Sequence, residues 1–145
     1  MQRVRASALV CGALLSWGLL TPGPFSCTRV AAQSRLRTHL VMLGTGNPNA
    51  NPERWGPSSA VVVDNRAYLV DAGVGVVRRA AKAARDGHIP ALAPARLDLV
   101  FITHLHSDHT LGCPDLLLSP WVLGRDRPLQ VWGPPGTARM FRLIE

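Results

Sequence analysis

The chain has 145 residues, 47% of them hydrophobic and 17% charged, which is enough to bury the core of one modest domain. Its three cysteines are Cys11, Cys27 and Cys113; two lie in the N-terminal stretch, so a disulfide framework is excluded and the core must stand on burial or metal. The formal charge is +7, and three of the 16 Lys and Arg lie in residues 1–32. The remainder therefore carries +4, a mild surplus that steers anions weakly and reads first as a solvated surface.

Arg3 and Arg5 form a short positive stretch, and Ala8 to Leu20 is an apolar run too short for a stable membrane span. Pro22 and Pro24 break any helix there, and Val30-Ala31-Ala32 supplies small residues for cleavage before Gln33. Residues 1–32 are predicted to be a secretory signal peptide, which places the rest of the protein in the periplasm or outside the cell, with no stable membrane span after cleavage. Two rival readings are an uncleaved anchor and a lipoprotein attached through Cys27; bulky Phe25 is a poor approach to a lipidated cysteine. Residues 33–145 form the expected functional domain.

Thr38 to Leu43 reads as a buried strand, ended by Gly44-Thr45-Gly46-Asn47-Pro48 and a polar loop to Pro57. Ser59 to Asp64 and Ala67 to Asp71 make a hairpin around Asn65-Arg66. From Val74 to Asp86 the period becomes helical: Val76, Val77, Ala80, Ala81 and Ala84 share one face, and Arg78, Arg79, Lys82 and Arg85 take the other, with Gly87 placed to end the helix. Those basic residues read as a solvated face, since no aromatics interleave with them. Pro90 to Ala95 reads as a linker, Leu97 to Thr103 as an apolar strand, and Cys113 to Ser119 as a short helix ending near Pro120. Leu129 to Trp132 is another strand, and Gly133 to Thr137 turns into a last helix from Ala138 to Glu145. Stopping a turn or two into a helix, the chain looks truncated.

Thr103-His104-Leu105-His106-Ser107-Asp108-His109 puts three imidazoles and a carboxylate within six residues at the end of a strand. Side chains two apart on an extended segment share a side, so His104 and His106 can converge on one point. Asp108 and His109 lie where the chain turns, and can face a second point nearby. Imidazole and carboxylate suit zinc first, with iron or manganese also admitted. His39 and His88 have no such neighbours and read as ordinary surface or core histidines.

His104-x-His106-x-Asp108-His109 after an apolar strand resembles the metal-binding signature of the metallo-β-lactamase superfamily, and its wording is close to the ribonuclease Z and arylsulfatase branch. Leu43-Gly44-Thr45-Gly46, Asp71-Ala72-Gly73 and Gly133-Pro134-Pro135-Gly136 agree with that branch. The resemblance covers Thr38 to about Phe141 and implies an α/β fold, the αββα sandwich, of which this chain supplies about the first half. It further implies two zinc ions, with Mn2+ or Fe2+ as alternatives. His104 and His106 would hold one, and Asp108 and His109 the other. By the same resemblance Asp71 is an outer carboxylate that orients the ligand loop, and Gly44 and Gly46 let the first loop pass close to the active site. A tight turn explains those glycines equally well.

The implied activity is that of an exported hydrolase using a metal-bound hydroxide to cleave an ester-type bond in a small molecule: a phosphodiester, sulfate ester or lactone. Asp108 is the candidate catalytic residue, as acceptor of the water proton. Two alternatives are a catalytically incomplete metal-binding remnant and a ribonuclease Z-like tRNA 3′-endonuclease. No histidine follows His109, and Ala72-Gly73-Val74-Gly75 stands where ribonuclease Z often has Cys-Gly-Glu-Gly. With the export signal, these departures argue against a nucleic-acid substrate. A homodimer is admitted as a partner, since the sequence leaves the oligomeric state open.

Overall fold

The computed structural model describes residues 38–145; the expected signal peptide and cleavage site, with Cys11 and Cys27, lie outside the described residues. Five strands form one sheet in the order β1-β2-β3-β4-β5. They are β1 (Thr38–Gly44), β2 (Ser58–Val63), β3 (Arg66–Val70), β4 (Leu99–Phe101) and β5 (Gln130–Trp132). The first three pair antiparallel, while β4 lies parallel to both β3 and β5.

The β2–β3 hairpin turns at Asp64-Asn65, one residue before the expected Asn65-Arg66. Both turn residues have positive φ, 47° and 65°, the primed-turn geometry whose twist matches paired strands. Asp and Asn tolerate that region better than the arginine would.

Side chains alternate across the sheet, and one face carries the core: Leu43, Ala60, Val62, Ala67, Leu69 and Val100 are all buried. Helix α1 (Val76–Asp86) lays Val76, Val77 and Ala80 on this face. Arg78, Lys82 and Arg85 stay in water, where they pair with Asp115 and Asp86. The expectation of a solvated basic face holds for these three but not for Arg79, which is half-buried and donates from Nε to the Leu43 carbonyl at 2.7 Å. The helix starts at Val76 rather than Val74, because Gly75, at φ 85°, turns the chain into it.

Three further expectations need correction. The supposed linker from Pro90 to Ala95 is two packed 3-10 turns, Pro90–Leu92 and Pro94–Arg96, with Ala91 and Leu92 fully buried. Strand β1 is not buried on both faces: Val41 and Leu43 face the core, but Leu40 is 70% and Met42 55% exposed. Helix α3 (Cys113–Val122) runs through Pro120 instead of stopping there. A one-turn helix α2 (Ser107–Thr110) precedes it, and α4 (Thr137–Ile144) buries Phe141. No helix among the described residues is long and apolar enough to cross a membrane.

Candidate metal centre

The histidine cluster begins where β4 ends. Ile102 is buried and its N–H donates to the Trp132 carbonyl at 2.7 Å, so the chain leaves the sheet from a fixed point. His106, extended at φ −66° and ψ 149°, caps α2. Its carbonyl accepts the His109 N–H at 3.1 Å and the Thr110 hydroxyl at 3.0 Å. A short segment of six residues thus passes from strand to helix and brings its donors together.

His104 and His106 meet edge to face with ring centroids 4.6 Å apart, and His104 and His109 lie 4.1 Å apart. His109 Nε2 is 3.6 Å from Asp108 Oδ2. Among the described residues no three His, Cys, Asp or Glu donors form a ready-made grip for a cation; these four approach one another in pairs.

Asp71 anchors the cluster from behind. It is buried, at the end of β3, with a left-handed backbone at φ 60°. Its N–H donates to the Phe101 carbonyl at 2.8 Å, and its carbonyl accepts the Ser58 hydroxyl at 2.9 Å. The carboxylate accepts the Thr103 N–H at 2.8 Å and the Thr103 hydroxyl at 2.9 Å, while Oδ2 lies 2.7 Å from His109 Nδ1. A carboxylate bonded to Nδ1 leaves Nε2 as the free donor of His109 and fixes its ring, the usual outer support of a metal-bound histidine. The donor set therefore fits a borderline divalent cation: imidazoles and a carboxylate, with one imidazole already oriented by a buried carboxylate.

Two backbone approaches hold the ligand loop against Asp71. The Ala72 N–H donates to the His109 carbonyl at 2.9 Å, and the Gly112 N–H donates to the Ala72 carbonyl at 2.8 Å. Gly73 is required for this closeness, since a Cβ there would meet the backbone of Gly56, Pro57 and Asp108. Gly44 and Gly46 act one layer further back: a Cβ on either would strike the Trp55–Gly56 backbone, and the Gly46 N–H donates to the Trp55 carbonyl at 2.7 Å. They let the first loop pack on the segment that carries Gly56, which in turn lies against Gly73.

Sequence reasoning assigned no role to Thr103, whose hydroxyl lies between Asp71 and His104. Thr103 stands directly before the first histidine, and that adjacency was the available signal. Cys113 is free and fully buried. Burial foremost, and then the Asp71 charge, push its thiol up to about 12, so the metal-free thiol stays neutral at ordinary pH.

Residues 66–142 match the family model described as "Beta-lactamase superfamily domain". A ribonuclease Z of Mycobacterium marinum is 43% identical over 102 residues, which span 68% of this chain and 34% of that relative. Among solved structures, human tRNase Z, short form, aligns with a TM-score of 0.60 and 28% identity over 72% of this chain and 38% of that one. A diphosphatase from the PhnP family aligns with a TM-score of 0.51 and 26% identity over 74% of this chain and 46% of that one. The chain thus spans about a third of the length of the curated relatives it matches.

Proposed function

The chain belongs to the β-lactamase superfamily, and from that premise we propose that the complete protein is a metal-dependent hydrolase of phosphodiester bonds. The observation that carries this reading is the pairing of a His104-His106-Asp108-His109 donor set with a buried carboxylate that orients His109, in a chain 43% identical over 102 residues to a ribonuclease Z. Similarity to a ribonuclease Z and to a diphosphatase favours phosphorus esters over sulfate esters and lactones.

His104 and His106 would hold one divalent cation, and Asp108 and His109 a second; zinc suits the donors best. Such a pair supplies Lewis-acid polarisation of the scissile oxygen and acidifies a water. The residues of this chain orient and move protons. Asp71 holds the His109 ring by Nδ1, and Asp108 accepts the proton of the attacking water at a carboxylate oxygen. Residues beyond this chain's length in the relatives would complete the site.

Two substrate classes compete. The predicted export signal supports a small phosphodiester outside the cytoplasm, while the ribonuclease Z relatives support RNA, so the expectation against nucleic acid now rests on the signal and on Ala72-Gly73-Val74-Gly75. The test uses the full-length protein with zinc or manganese on a model phosphodiester, a sulfate ester, a lactone and a 3′-extended tRNA, alongside fractionation of the cells that make it. Turnover of the phosphodiester is expected. His106→Ala should lower it by more than the roughly 100-fold that loss of an outer partner costs. Hydrolysis of the sulfate ester or lactone alone, or no hydrolysis at all, would overturn the reading. Cleavage of the tRNA by a protein retained in the cytoplasm would assign the RNA substrate.

A further inference from the structure

The Thr103 hydroxyl lies 2.9 Å from both Asp71 carboxylate oxygens and 2.9 Å from Nδ1 of His104. A hydroxyl has one proton to give and two lone pairs to receive with, and an ionised carboxylate can only accept. Were that proton aimed at His104, Oγ1 would face two carboxylate oxygens with lone pairs alone, a repulsive contact at 2.9 Å. The proton therefore goes to Asp71, and the remaining contact must be Nδ1–H of His104 donating to Oγ1. Thr103 cannot easily swing away, because its own N–H is bonded to Asp71 Oδ1 at 2.8 Å and its side chain is β-branched, hence stiff about χ1.

We propose that Thr103 is a positioning residue: through its hydroxyl, Asp71 fixes the tautomer of His104 as it fixes that of His109 directly, so both rings present an Nε2 lone pair. One buried carboxylate thereby sets one ring in each of the two donor pairs. His106 is the contrast, since neither of its ring nitrogens has a protein hydrogen bond among the described residues. The proposal rests on the reading of these histidines as cation donors only for its consequence. The tautomer itself is a property of the chain without metal.

The experiment is nitrogen-15 NMR of the histidine rings in the metal-stripped, full-length protein, held at about pH 8.5, some two units above the ordinary histidine pKa, with zinc affinity measured in parallel. His104 and His109 are expected as Nδ1–H tautomers. Thr103→Val should release His104 from that tautomer and leave His109 pinned, Thr103→Ser should restore it, and Asp71→Asn should disturb both. Zinc affinity should fall about 10- to 100-fold in Thr103→Val and stay within a few-fold of the parent in Thr103→Ser. A parent protein whose His104 carries its proton on Nε2 would overturn the proposal without any variant, as would an unchanged His104 in Thr103→Val. If the parent binds no zinc while the tautomers come out as expected, the metal reading fails and Thr103 keeps its assigned role.

Discussion

Cys113 shows how far one side chain's chemistry depends on its surroundings. Its thiol is raised to about 12 from an ordinary 9 by burial first and the Asp71 charge second. Between those values the unfolded chain loses the thiol proton and the folded chain keeps it, so the unfolded state binds fewer protons and stability falls as pH rises. Stability from this group is complete below about pH 9. Urea titrations between pH 9 and 11 are expected to show a downward slope that Cys113→Ala removes. Thiol labelling of the folded protein at pH 8 should be far slower than that of the denatured chain.

Helix α3 owes its length to a residue outside it. Pro120 lacks the N–H that would serve the Leu116 carbonyl four residues back, and a proline inside a helix ordinarily costs about 3 kcal/mol. Arg125 supplies the missing donor: Nη1 reaches the carbonyls of Leu116 at 3.0 Å and Leu97 at 3.1 Å, and Nη2 that of Leu117 at 2.8 Å. The buried guanidinium thus ties the middle of α3 to Leu97, two residues before β4. Its Nε is the one buried side-chain nitrogen or oxygen among the described residues without a partner. Burial lowers the Arg125 pKa while Asp98 opposes the shift. Arg125→Met is expected to cost about 2–4 kcal/mol, since three carbonyls lose a charged donor. Because Pro120→Ala restores the N–H that Leu116 needs, the double variant should lose about 1 kcal/mol less than the sum of the two; denaturant unfolding of all four proteins measures this.

At the scale of the whole molecule, the helices cover one face of the sheet and leave Leu40, Met42, Phe101 and Trp132 exposed on the other. Relatives about twice as long are expected to cover this face with the second half of the sandwich. Methionine oxidation measures the difference: Met42 should oxidise readily in the 145-residue chain and be protected in a chain extended to the relatives' length. The sequence by itself determined the strands and helices whose hydrophobic period is local, and it named His104, His106, Asp108 and His109, because four donors in six residues need no fold to be noticed. It also marked Asp71 and Gly73, though only through the resemblance. Tertiary structure alone decided that the Pro90 to Ala95 stretch packs, that Pro120 can sit inside a helix, and that Thr103 bridges Asp71 to His104. The hydrogen bonds among these join separate segments: Asp71 lies 32 residues before Thr103, and Arg125 reaches Leu97, 28 residues before it, as well as Leu116, nine before it. Local pattern reports which face of an element is apolar, but a hydrogen bond between distant segments exists only once packing has brought donor and acceptor within about 3 Å.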